Sequence, residues 1–162
     1  MLWREAYSTR VLERAGCPPV EGASLTGEEL RLAGPFVIVA GFDLRSMVER
    51  EVWRRLTTAV FGAHGWYLEG VVAHGWNAQT LERLRMVTPR EMHGSTYSLV
   101  DPAWEWHRLV QPDHAHRAFA AVVALGEIRL LMVGPPTGEA WERFEQEIRA
   151  EVLAGEPGAA TV

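Results

Sequence analysis

PFVIVAGFDLRSMVEREVWRRL, residues 35–56, reads as a buried strand that runs through a short loop into an amphipathic helix. Pro35 to Phe42 is an unbroken apolar run rich in β-branched residues, the pattern of a strand covered on both faces. Met47, Val48, Val52 and Leu56 then recur near helical spacing, and Arg45, Glu49, Arg50, Arg54 and Arg55 are expected on the solvated side. Asp43 or Ser46 is placed to cap the helix start, since a short side-chain oxygen there accepts from free amides. The unit carries no nucleophile and no glycine-rich phosphate loop.

Upstream, Leu2 to Arg14 carries Trp3, Tyr7 and Val11 at i, i+4 and i+8, flanked by Leu2, Ala6 and Leu12, and this spacing predicts a short amphipathic helix. Gly16-Cys17-Pro18-Pro19 breaks it, because the prolines remove donors and fix φ. The next piece is expected to be extended, with Thr26 to Leu30 as either one helical turn or a hairpin bend. Downstream, Ala63-His64-Gly65 ends the helix, Trp66 to Ala73 is a second strand, and Ala78 to Met86 a second helix. Ser95 to Val100 is a third strand and Ala103 to Val110 a short helix. Arg117 to Leu125 and Ile128 to Val133 make a hairpin about Gly126-Glu127, and Trp141, Phe144, Ile148 and Val152 mark one face of a closing helix. The expected organisation is an N-terminal helix and extended segment over 1–33, an α/β domain over 34–153, and a disordered tail over 154–162.

At 162 residues the chain fits one domain that needs no disulfide or metal staple. Its 48% apolar and 23% charged residues are ordinary globular composition, and a net charge of −5 argues against a nucleic-acid footprint. All 16 basic residues are arginine, which no single site chemistry requires. One cysteine allows neither an internal disulfide, a redox dithiol nor a thiolate zinc site. The early charges and the lack of a long apolar run predict no signal peptide, no membrane span and a cytoplasmic protein.

The order of these elements resembles the thioredoxin-like superfamily, especially its peroxiredoxin and resA-like branch. Residues 35–56 resemble its strand, active-site loop and helix, and RAFAAVVALGEIRLLMVGPPTGEAWERFEQEI, residues 117–148, resembles its closing hairpin and helix. The resemblance implies an α/β fold with a mixed β-sheet flanked by helices over roughly Gly34 to Ala150. Laying the family's Cys-x-x-Cys on this loop puts Arg45 and Val48 at the cysteine positions with Ser46 and Met47 between, and the family's cis-proline falls near His116 and Arg117. The resemblance therefore implies the fold without the dithiol chemistry, and leaves Asp43, Arg45, Ser46 and Val48 as a degenerate active-site loop.

Three residue sets remain as candidate sites. Cys17, ahead of two prolines and away from that loop, reads as an inert thiol, because a reactive one needs a helix N-terminus or a nearby cation. His114 and His116 share a face if they begin the strand, and with His107, Asp113 and also Glu105 they form a candidate metal or catalytic cluster. Against that reading, paired histidines at a strand start are commonly exposed polar residues. Seven tryptophans are the third feature: Trp104 and Trp106 cannot share one helical face, so one of them is expected at a surface. The favoured reading is a non-catalytic interaction or assembly domain with no cofactor, a protein partner or homodimer contacting Trp3, Tyr7, Val11, Trp104 and Trp106. The alternative is a metal-binding protein or enzyme using the histidine cluster.

Overall fold

In the computed structural model, which describes residues 3–6, 9–75 and 77–155, the chain runs β1 (Arg4–Ala6), β2 (Thr9–Gly16), β3 (Glu21–Ser24), β4 (Phe36–Gly41), α1 (Met47–Phe61), β5 (Tyr67–Ala73), α2 (Ala78–Val87), β6 (Thr96–Val100), α3 (Glu105–Val110), β7 (Ala118–Ala124), β8 (Glu127–Val133) and α4 (Gly138–Glu151). The strands form one mixed sheet in the order β1-β2-β8-β7-β4-β5-β6-β3. Strands β4, β5 and β6 are parallel neighbours, whereas β7 runs antiparallel beside β4 and β8 antiparallel beside β7. This is the expected thioredoxin-like sheet, a βαβ unit followed by a hairpin and a closing helix.

All six residues of β4 are buried, and their alternation divides the interior into two cores. Phe36, Ile38 and Ala40 join Phe119, Ala121, Leu131, Trp106 and Val110 on one face, under α3. Val37 and Val39 join Trp53, Ala120, Val122, Phe144 and Ile148 on the other, under α1 and α4. A strand needs apolar partners on both faces to read as a continuous apolar run, and these two layers supply them.

Three sequence expectations are corrected. The first concerns the N-terminus, where β1 and β2 form an antiparallel pair instead of a helix, and β2 pairs with β8 through Val11↔Met132 and Leu12↔Leu131. The neighbours Val11 and Leu12 fall on opposite faces of β2, one in each core, as strand alternation requires, and the open edge of β8 supplies the pairing. Residues before 34 thus contribute β1, β2 and β3 to the same sheet. Tyr7 and residues 156–162 of the expected tail lie outside the described residues. The second correction concerns α1, whose buried face is Arg50, Trp53 and Thr57, while Met47, Val48 and Val52 are exposed. The Trp53 indole N–H donates to the Gly134 carbonyl at 2.9 Å, and Glu69 on β5 supplies the negative charge that lets Arg50 turn inward. The third is the hairpin turn, which is Leu125-Gly126, at φ 54° and 72°, one residue earlier than expected. Two central residues with positive φ match the twist of the flanking strands.

Val39→Asp is expected to abolish folding, because it places an unpaired carboxylate in a fully buried strand, at a cost of several kcal/mol. Val48→Asp, on the exposed side of α1, should change stability by about 0.5 kcal/mol or less. Circular dichroism melts of the two proteins check the pair, and a soluble, cooperatively melting Val39→Asp protein contradicts the two-core assignment.

Candidate functional site

At the carboxyl ends of β4, β5 and β6 the chain leaves the sheet in three loops that enclose a cleft of about 680 Å³. Ligands in α/β sheets sit at this end because backbones diverge there and leave space no side chain fills. Phe42, Asp43 and Arg45 come from the loop after β4, His74 from the end of β5, Arg83 from α2, and Asp101, Trp104 and His107 from the turn and helix after β6. A second cleft of about 300 Å³ shares Phe42, Asp43 and His107 with the first and continues to Pro112, His114 and Arg117. The two clefts adjoin across Phe42, Asp43 and His107.

The loop after β4 is fixed from within. Asp43 caps the 3-10 turn Leu44–Ser46: its Oδ1 accepts from the Arg45 amide at 2.8 Å and from Arg45 Nε at 3.0 Å, and Oδ2 accepts from Nη2 at 3.1 Å. The hydrogen bond from the Arg45 side chain is the main reason the Asp43 carboxyl is held below the usual range. The buried Ser46 hydroxyl donates to the Asp43 carbonyl at 2.7 Å. A Cβ at Gly41 would lie 2.0 Å from Ser46 Oγ, so this close return of the loop onto the strand requires glycine. The residues at the expected dithiol positions, Arg45 and Val48, are respectively ion-paired and exposed. Where the family's cis-proline would stand, Glu49 of α1 accepts from the Ala118 amide at 2.9 Å and pairs with Arg117 at 3.4 Å, tying the start of β7 to the helix.

The opposite wall is aromatic. Asp101-Pro102-Ala103 turns the chain out of β6, and Asp101 Oδ2 accepts from the His107 amide at 3.1 Å, organising the first turn of α3. Trp104 sits in this turn at φ 59°, ψ 23°. A bulky aromatic residue in the left-handed region carries strain of order 1–2 kcal/mol, which glycine would not. The strained backbone lays the indole over His74, with ring centroids 4.1 Å apart, and edge-on to His107 at 5.2 Å. His107 in turn meets the Phe42 ring at 4.9 Å. Trp104 stays 44% exposed.

Of the residues singled out in the sequence, Trp104, His107 and the Asp43 loop come together here. Val11 and Trp106 are corrected as partner-binding residues: each is at most 2% exposed, and Trp106 stacks on Phe119 while its indole N–H donates to the Pro19 carbonyl. Trp3 is partly buried against the core, with the Arg10 guanidinium over its ring. Residues 114–116 form a turn, not the start of the strand, which begins at Ala118. His114 and His116 lie with ring centroids 5.7 Å apart, and His114 Nδ1 accepts from the His116 amide. Asp113 is engaged by Arg117 at 2.9 Å, which lowers its pKa. Among the described residues no group of three His, Cys, Asp or Glu side chains converges as a metal site. The sequence reading passed over Phe42, His74, Arg83 and Asp101. The available signal was Asp101-Pro102, a turn marker directly beside an aromatic pair.

Cys17 lies at the far end of the sheet, beside Phe36 and the Leu125-Gly126 turn. Burial pushes its thiol up to about 11. No protein-family model matches the chain, and no curated protein matches it in sequence. Among solved structures it is similar to the exposed lipoprotein thioredoxin of Streptococcus pneumoniae strain TIGR4, at TM-score 0.48 and 13% identity over 80% of this chain and 97% of that one. StoA from Bacillus subtilis gives TM-score 0.48 and 13% identity over 81% and 99%, and a thiol-disulfide oxidoreductase from Bacteroides fragilis gives 0.47 and 13% over 80% and 97%. The thioredoxin-like fold is read from this chain's own strand order, and its single cysteine leaves no dithiol pair. No helix among the described residues is long and apolar enough to cross a membrane.

Iodoacetamide should label Cys17 slowly at pH 8. With the thiol at about 11, the thiolate fraction is about a hundredfold below that of a free cysteine, and greater intrinsic nucleophilicity recovers part of that, leaving labelling roughly tenfold slower. Mass spectrometry of the time course reads the rate, and labelling as fast as glutathione contradicts the buried, unactivated placement.

Proposed function

We propose that this chain is a thioredoxin-like recognition domain without dithiol chemistry, and that it takes an extended segment of a partner protein in the groove at the carboxyl ends of β4, β5 and β6. The observation that carries this reading is Trp104, a half-exposed indole on a strained backbone, aimed along the wall of that groove. Strain at a bulky residue persists only where the surroundings fix it, and it concentrates at ligand-holding positions. Tryptophan is also a preferred anchor of protein contacts, since it offers a large apolar ring and one hydrogen-bond donor.

The shape favours a peptide over a compact ligand. The two clefts adjoin across Phe42 and His107, with the exposed Arg83 lining the first and Arg117, paired with Asp113, lining the second. Apolar and aromatic walls at the centre with charges at the rim are the usual anatomy of a protein contact. A second copy of the chain is the competing occupant, and Trp104 is an exposed residue of the proposed dimer contact.

Selection of a displayed random-peptide library on the wild-type protein tests this. The expected result is an enriched motif whose synthetic peptide shifts the amide resonances of residues 42–45, 74 and 101–107, and whose affinity falls by about tenfold or more in Trp104→Ala, the loss expected for a hot-spot aromatic. Failure to enrich any motif, or equal binding by Trp104→Ala, overturns the reading. A light-scattering mass that rises above 18.1 kDa with concentration, and returns to it in Trp104→Ala, assigns the groove to a second copy instead.

A further inference from the structure

At the end of the sheet away from the groove, the β7–β8 hairpin turns through Leu125 and Gly126. A two-residue turn with both φ positive favours Asn, Asp or Gly at its first position, because a larger side chain is strained in the left-handed region. Here that position is leucine, at φ 54°, and it is 92% exposed. The backbone contact that anchors the turn does not depend on it: the Gly126 carbonyl accepts from the Cys17 amide at 3.2 Å whatever side chain stands at 125. A strained backbone that holds a large apolar side chain in water stabilises neither the turn nor the core.

Leu125 stands at the rim of a hollow of about 240 Å³ whose walls include Pro18, Val20, Leu32, Phe36 and Ala124. None of the lining residues is charged, and Leu32 is itself 37% exposed. The charges beside the turn are balanced, two arginines against two glutamates. Glu127 pairs with Arg14 at 2.9 Å and with Arg129 at 3.4 Å, and Arg129 lies 3.9 Å from Glu151.

We propose that this end of the sheet is a self-association surface, on which Leu125 of one copy enters the hollow of a second copy and receives that copy's Leu125 in return. A two-fold contact requires one patch to carry both a projection and a recess that accepts it, and here the two lie side by side. The volume of the hollow is below the roughly 300–1,000 Å³ of small-molecule sites and suits an aliphatic side chain. Paired charges around it set up no repulsion between identical copies and select no partner of opposite sign. The contact is small, so the dimer is a weak one. It shares no lining residue with the groove, so it stands independently of the partner-binding reading and leaves both grooves open.

Sedimentation equilibrium on the intact protein tests this. The weight-average mass is expected to rise from 18.1 kDa towards twice that value between about 10 μM and about 1 mM, the range of a small transient contact. Leu125→Asn suits the left-handed turn and removes the projecting side chain. That variant should stay at 18.1 kDa across the range, and in dilute solution should melt at the wild-type temperature or above it. Leu32→Asp, on the rim of the hollow and outside the turn, should weaken association by about tenfold or more. A wild-type mass constant at 18.1 kDa overturns the proposal. Association that persists in Leu125→Asn and is lost in Trp104→Ala also overturns it, and moves the contact to the groove.

Discussion

Strand β4 is buried along its whole length on both faces, and the rest of the chain is arranged to satisfy that constraint. Its odd and even residues belong to different cores, so a layer is required on each side. On one side α1 and α4 close over Val37 and Val39, with Trp53 and Phe144 in edge contact at 4.8 Å. On the other, α3 closes over Ile38 and Ala40 with Trp106 stacked on Phe119. A polar group anywhere along this strand would lack both water and a partner, which is why its sequence is so uniform.

The same constraint generates the groove. Once β4 ends at Gly41, the chain can no longer be covered on both faces, and the loop folds back on the strand through Ser46 while α3 stands off on the aromatic turn of Trp104. The space between them is the groove. The groove is lined by planar rings and by several charged side chains. The buried Arg50–Glu69–Arg54 cluster is a second consequence of how α1 lies on the sheet, because the helix presents Arg50 where an apolar residue would ordinarily sit.

The fold was legible in the sequence where one periodicity excluded the others. Residues 36–41 are too short and too β-branched for a helix, and the run from Ala118 to Val133 could only be a hairpin. The N-terminal segment was not legible, because the spacing of Trp3, Tyr7 and Val11 reads as helical and the free edge of β8 is a property of the tertiary structure. The inward turn of Arg50 was hidden for the same reason: its partner Glu69 is distant in sequence, and only the apposition of α1 and β5 makes an arginine a buried residue. Of the candidate site, Trp104 and His107 stood out by residue type. Phe42, His74 and Asp101 did not, because their meeting depends on three separate loops converging at one end of the sheet.

The account's central claim is that Trp104 serves recognition and not the scaffold. Melting Trp104→Gly beside the wild type tests it most directly, since glycine adopts φ 59° without strain and removes only the ring. The account predicts a Tm that is unchanged within about 2 °C or higher, with binding of the groove peptide lost. A Tm lower by several degrees, or a variant that still binds the peptide as the wild type does, would contradict it.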